Sequence, residues 1–199
     1  MRLEHPYWVW KSYFPKEFCE SVIAAANRQE LKEGEVLRDA ARKTRKSSVT
    51  WFGHKPENDW IHKPIDQCLR VTNQRFWKWA ISGGEPIQFT KYEPGDFYAW
   101  HTDQRIKPYA NNSRWPGLIR KLSVTVTLTD GSAYDGGDFL LEDPADTPDN
   151  AARRIKTLTE ARAQGSVVVF ASSLFHRVSE VTKGTRISLV TWFLGPPFV

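Results

Sequence analysis

Three places in this chain carry side chains that could do chemistry: His101-Thr102-Asp103, His176, and Arg186-Ile187-Ser188. Residues two apart on a strand project to one face, so the His101 imidazole and the Asp103 carboxylate can converge on one ion. His176 follows the apolar run Val167-Val168-Val169-Phe170 and adds a second imidazole. Two histidines and one carboxylate cover one face of an octahedron and leave three positions open, an arrangement that suits ferrous iron. Zinc would favour a closed tetrahedral set, or a third histidine or a glutamate. His101, Asp103 and His176 are therefore the candidate metal ligands and the candidate catalytic set.

A His-x-Asp pattern arises by chance, and a lone histidine more often belongs to surface or core, so context decides. Arg186 stands ten residues after His176. Its guanidinium is a rigid two-pronged partner for a carboxylate, and Ser188 adds a hydroxyl from the same strand face. An Arg-x-Ser beside a metal is what the distal carboxylate of 2-oxoglutarate needs. The expected arrangement is a hairpin of His176–Glu180 against Thr185–Leu194, closed by Thr182-Lys183-Gly184. Three-residue hairpin loops commonly end in a glycine at positive φ. In that register Glu180 faces Arg186, His176 faces Val190, and His176, Arg186 and Ser188 share a face. A two-residue loop would turn Arg186 away.

The elements that must position these groups run helices first, strands later. Pro15 can open a helix at its first position, where the missing N–H is not needed, and Phe18, Val22 and Ala25 or Ala26 continue at helical spacing. A second helix is expected near residues 60–80, with Ile61, Ile65, Leu69, Thr72 and Phe76 on one face; Pro64 obscures its start, because proline is tolerated only in the first turn. Ser47–Phe52 and Ile87–Tyr92 read as strands. Leu122–Thr129 alternates apolar and hydroxyl residues, the period-two signature of a half-buried strand. Asp138–Leu141 follows a Gly-Gly turn, and Ser166–Phe170 is a β-branched run. Short strands separated by turn signals predict a sandwich or barrel. With helices ahead of them, the expected fold is mainly β, a jelly roll buttressed by helices on one face. The chain reads as one domain over 1–199, with helical support over about 1–85 and the jelly-roll core over about 86–197.

Composition bounds the function more loosely. Of 199 residues, 40% are hydrophobic and 26% charged, the balance of a globular domain rather than a disordered one. The nine Trp read mostly as a large aromatic core. A net charge of +5 and a pI near 9.2 permit an anionic partner without demanding nucleic acid. Much of the excess lies in Arg42, Lys43, Arg45 and Lys46, a run that ordinarily forms a solvated loop. Cys19 and Cys68 have no metal-ligand spacing; they could form one disulfide, but with no apolar leader at the N-terminus a reducing cytoplasm is the default. No apolar run is long enough to span a membrane.

Upstream of His101, Tyr92 and Tyr98 flank the turn at Pro94-Gly95. They read either as core tyrosines on a hairpin or as phenols that hydrogen-bond a co-substrate or target. With these residues in place, the chain resembles the prolyl-4-hydroxylase-like branch of the 2-oxoglutarate/Fe(II) dioxygenases, including the bacterial and phage members called PKHD-type hydroxylases. The resemblance rests on Tyr92-x-x-Gly95-x-x-Tyr98-x-x-His101-x-Asp103, Arg120-Lys121-Leu122-Ser123, Tyr134-Asp135-Gly136-Gly137-Asp138-Phe139, Gly165–Phe170, and most of all the stretch from His176 to Phe193. It covers roughly residues 86–197, and the N-terminal helices match only loosely.

The resemblance implies a double-stranded β-helix, ferrous iron held by His101, Asp103 and His176, and 2-oxoglutarate clamped by Arg186 and Ser188. One of Tyr92 and Tyr98 would touch the co-substrate. It further implies O2 as oxidant, ascorbate as reductant, and hydroxylation of an unactivated C–H with release of succinate and CO2. A prolyl residue in a protein or peptide is the target it implies; a free amino acid or other small molecule is the alternative, and a metal-free jelly-roll binding module is the rival of another class. Oxidative demethylation of nucleic-acid bases is disfavoured, since that branch typically carries a second arginine where this chain has Trp192. Halogenation is disfavoured because Asp103 supplies the carboxylate that halogenases lack. The long segment Gln104–Arg120 leaves the strand bearing His101 and Asp103. It is expected to form a lid with Arg114 and Trp115 as substrate-binding residues, the Arg42–Lys46 run forming a second wall; the plain alternative is a surface loop.

Overall fold

Residues 4–34, 44–104, 107–143 and 155–198 are described by the structure, a computed structural model. Arg42, Lys43 and Arg105 lie outside them.

The alternating segment predicted around 122–129 is the centre of the larger sheet, strand β8 (Ile119–Thr127). Its even-spaced apolar residues Leu122, Val124 and Val126 pack outward with the helices, and Ser123, Thr125 and Thr127 point the other way. Around it the sheet runs β1 (Tyr7–Trp10), β12 (Val167–Ala171), β8, β15 (Arg186–Gly195), β6 (Ile87–Tyr92), β4 (Ser48–Phe52) and β2 (Lys32–Glu33), with β5 (Gly83–Gly84) also on β15. The facing sheet runs β11 (Ile155–Thr157), β10 (Phe139–Glu142), β13 (His176–Val178), β7 (Phe97–His101) and β3 (Arg45–Lys46). A small third pair joins β14 (Val181–Gly184) to β9 (Tyr134–Gly136). Every pairing is antiparallel, and two sheets face to face make the expected jelly roll.

Two helices, α1 (Lys16–Ala26) and α2 (Asp59–Phe76), cover the outer face of the larger sheet. Cys19, Val22, Ile61, Ile65 and Leu69 meet Phe89, Val124, Val126 and Leu189 in one core. A second core, containing Phe139, Leu141, Val168, Phe170 and Val178, fills the space between the sheets. The first 85 residues therefore supply strands to both sheets as well as the helical buttress. No described helix is long and apolar enough to cross a membrane.

Several expectations need correction. Pro15 is the N-cap of α1, in extended conformation, rather than its first helical residue. The second helix ends at Phe76, short of 80, because Lys78 takes φ +54 and Asn73 turns its amide onto the backbone of Trp79. Pro64 lies inside α2, in its second turn, where it removes the N–H that would reach the Trp60 carbonyl. The predicted hairpin of 176–180 with 185–194 does not form. Gly184, at φ +72, ends β14, which pairs with β9 instead, and the chain passes from the smaller sheet to the larger. Tyr92 and Tyr98 likewise sit on strands of different sheets, not on one hairpin.

Candidate metal centre

His101 and His176 lie directly opposite each other on β7 and β13. Asp103 follows two residues after β7 ends, where the backbone N–H groups of Asp103 and Gln104 both reach the Ser172 carbonyl, at 3.0 and 2.8 Å. The donor atoms of His101, Asp103 and His176 lie within 4.8 Å of one another, close enough to hold a metal ion. Asp103 stands 3.8 Å from His101 Nε2 through Oδ1 and 3.5 Å from His176 Nε2 through Oδ2.

The hydrogen bonds fix which nitrogen each imidazole presents. His101 Nδ1 is 2.8 Å from the Ala99 carbonyl and His176 Nδ1 is 3.0 Å from the Leu174 carbonyl. A carbonyl only accepts, so both Nδ1 atoms carry the proton and both Nε2 lone pairs face the cluster, the tautomer of a metal-binding histidine. Burial, and then the neighbouring His176, push His101 down to about 4, which keeps it a neutral ligand. Burial alone would raise Asp103. His176, His101, Arg120 and the Ser123 hydroxyl together hold it below the usual carboxylate range. Ser123 Oγ donates to Asp103 Oδ2 at 2.7 Å and lies 2.9 Å from Ser172 Oγ.

A β-bulge decides what accompanies the ligands. His176 pairs with His101 and Val178 with Tyr98, so the one residue between them on β13 opposes two on β7. The extra residue brings Tyr98 and His101, three apart in sequence, onto one face. Their rings stack at 3.6 Å with 13° between planes. Burial raises the Tyr98 phenol to about 12, so it stays neutral.

From the opposite sheet, Arg186, Ser188, Val190 and Trp192 alternate along β15 into the same cavity of about 420 Å³, joined by Tyr92 and Gln88 of β6. Arg186 is paired with Tyr92 in the sheet; its guanidinium donates to Ser188 Oγ at 3.1 Å and lies 5.3 Å from the centre of the Tyr92 ring. It is only 3% exposed and has no carboxylate within ion-pair distance among the described residues. Gly137, at φ +60, makes room for it: a Cβ there would lie 3.0 Å from Arg186 Cδ and 2.9 Å from Val181 Cγ2. Trp192, 7% exposed, has an indole N–H with no acceptor among the described residues.

All three predicted metal ligands thus come together, and Arg186, Ser188, Tyr92 and Tyr98 line the same cavity. They meet across the two sheets rather than along one hairpin. Arg114 and Trp115 do not line that cavity. Trp115 is half-buried, packed at 5.6 Å against Tyr109 with the Arg114 guanidinium over it at 5.5 Å. Sequence reasoning puts Arg45 only in a second wall at the mouth, and misses that it lines the cavity itself. The basic run reads as solvated, yet Arg45 turns into the cavity and donates to Ser47, Gln88 and Thr90 at 2.7, 2.9 and 3.2 Å, with Tyr98 4.8 Å away. The pairing of Arg45 with Tyr98 puts it there, and no local pattern announces it.

Comparison with known proteins gives the family and the fold. Residues 87–194 match the 2OG-Fe(II) oxygenase superfamily. A PKHD-type hydroxylase of Shewanella oneidensis is 30% identical over 118 residues, 56% of this chain and 46% of that protein. One from Prochlorococcus marinus is 33% identical over 106 residues, 53% and 40% of the two chains. This chain therefore spans under half the length of these curated relatives. Among solved structures, a Pseudomonas putida prolyl-4-hydroxylase superposes with TM-score 0.68 at 22% identity, covering 96% of this chain and 92% of its own. A Trichoplax adhaerens prolyl hydroxylase in complex with a hypoxia inducible factor peptide fragment gives 0.70 at 15% identity, covering 96% and 84%.

Proposed function

Because the chain belongs to the 2OG-Fe(II) oxygenase superfamily, we propose that it is a 2-oxoglutarate-dependent hydroxylase acting on a prolyl residue of a protein or peptide. The observation that carries this reading is Arg186: a buried cation with no acidic partner among the described residues, on the wall opposite the His-Asp-His cluster. An unpaired buried charge costs several kcal/mol, on the order of 3–5 when a partner is removed, so an anionic ligand in this cavity offsets a standing penalty.

The residues fit the group. His101 and His176 offer Nε2, Asp103 offers a carboxylate held ionised, and the ligand set leaves positions free. Bound ferrous iron and 2-oxoglutarate supply the oxidising power for C–H hydroxylation, with O2 consumed, succinate and CO2 released and ascorbate keeping the metal reduced. The chain's own part is binding and orientation. Arg186 and Ser188 take the distal carboxylate; Tyr92 and Tyr98 bound the cavity with neutral phenols; Phe139 and Phe170 exclude water behind His176, with ring centres 5.6 and 4.7 Å from it. Arg114 and Trp115 belong in this reading to a lid over the mouth. The solved neighbours that act on prolyl residues support the target, one of them holding a peptide.

The test offers proline-containing peptides and free proline to iron-loaded protein with 2-oxoglutarate and reads products by mass. Hydroxyproline in a peptide, with matching succinate, is the expected outcome. Hydroxylation of the free amino acid alone moves the target class, and failure to bind iron at micromolar protein leaves a binding module.

A further inference from the structure

Beside the metal cavity runs a second, open groove of about 940 Å³, lined by Glu30, Lys32, Glu33, Val49, Thr50, Trp51 and Gln88. The two are neighbours, since Gln88 lines both. Register explains why. Trp51 pairs with Gln88, and Gln88 with Val190, so the three form one cross-strand row on the face that carries Arg186 and Ser188. The Trp51 ring stands 6.2 Å from Trp192, which lines the metal cavity.

Trp51 is 44% exposed, while its neighbours Thr50 and Phe52 are buried with the helices. An indole held open at the mouth of a site offers its face, and among aromatic faces the indole binds a cation best. Opposite signs surround it. Glu30 and Glu33 are exposed on the rim of a chain whose net charge is +5, and neither has an ion-pair partner among the described residues. Lys32 stands between them, leaving one net negative charge on the rim. A groove outside the metal cavity has no use for a free amino acid, which ends inside that cavity.

We propose that the Trp51–Gln88 groove binds the polypeptide flanking the hydroxylated residue and selects a lysine or arginine there, its cation on the Trp51 face and against Glu30 and Glu33. This rests on the peptide-hydroxylase reading above and narrows it: the substrate is a chain, and a basic one.

The experiment uses blocked nine-residue peptides with one central proline and a lysine, glutamate or alanine walked through the flanking positions. Binding to the Mn(II)-loaded protein with 2-oxoglutarate is read by fluorescence anisotropy of labelled peptides, and hydroxylation of the iron-loaded protein by mass. At one flanking position lysine should bind about fivefold tighter than alanine, the factor expected of an exposed cation–π contact, and tighter still than glutamate. Trp51→Phe should keep most of that preference and Trp51→Ala lose it. Glu30→Lys with Glu33→Lys, both on the surface, should invert it toward glutamate. Equal binding of the three peptide classes by the native protein overturns the proposal, as does no peptide binding at all. So does a lysine preference that survives both Trp51→Ala and the charge reversal. If the preference appears in binding but no peptide is hydroxylated, the groove stands and the prolyl reading falls.

Discussion

At the scale of single residues, the centre is defined by which atoms are left free. Each histidine spends Nδ1 on a carbonyl two residues before it and keeps Nε2 for the cluster. Replacing His101, Asp103 or His176 by alanine should each abolish iron binding and turnover, and His176→Ala should also lower the melting temperature of the metal-free protein, because its ring packs on Phe139 and Phe170 of the second core; iron analysis of anaerobically prepared variants with parallel thermal melts checks this, and full activity in any one removes the assignment. Arg186 is a different kind of part. Loss of a buried, hydrogen-bonded charge partner costs about 2–5 kcal/mol, so Arg186→Ala should raise the KM for 2-oxoglutarate by about one to three orders of magnitude. Lysine should restore part of it without the fork, and an unchanged KM would sink the role. The ligand types were legible because iron chemistry admits few of them and the residues have few alternative jobs. Arg45 was not, because an arginine in a basic run looks the same whether its strand partner turns it in or out.

At the scale of elements, the predictions held where a segment's own pattern decides and failed where a partner does. The alternation of 122–129 and the run 166–170 specify strands by themselves. Loop chemistry predicts a hairpin of 176–180 with 185–194 but cannot say whether the next strand stays in the same sheet, and the bulge in β7 depends on pairing with β13. The segment before β8, proposed above as a lid, shows a further dependence. Tyr109 Oη donates to Glu85 at 2.7 Å, and Glu85 holds Arg120 through two contacts of 2.6 Å. Arg120 in turn lies 3.8 Å over the Trp192 ring. Glu85 is buried, so Glu85→Ala leaves a mostly buried guanidinium unpaired and should destabilise the fold by about 3–5 kcal/mol. Pairing it with Arg120→Met should recover much of that in urea melts, whereas additive losses would mean the two do not interact. If that segment is a lid, Trp115→Ala or Arg114→Ala should lower the yield of hydroxylated target per succinate formed, with iron content unchanged. A parallel loss of iron would make the segment a support for the metal site, and no change in yield would make it surface.

At the scale of the molecule, helices and metal site stand on opposite faces of one sheet. Leu122, Val124, Val126 and Leu189 carry α1 and α2 on the outside, while Ser123, Thr125 and Ser188 face the cavity from the same strands, so the alternation that makes a strand amphipathic also separates buttress from chemistry. The two cysteines report on that division. Cys19 of α1 and Cys68 of α2 are free rather than disulfide-bonded and essentially inaccessible in the outer core. Burial pushes both thiols up to about 11, so almost no thiolate is present at pH 8 even if reagent could reach them. The folded protein should therefore react with iodoacetamide at neither position, and only as fast as the helices leave the sheet. If helices and sheets form one cooperative unit, labelling of Cys19 and Cys68 should rise together with urea and track loss of iron. Mass spectrometry of labelled peptides along a urea series reads this directly. Labelling of either cysteine below the transition, with iron still held, would show that the buttress detaches while the jelly roll stands, and that the metal site needs only the strands around it.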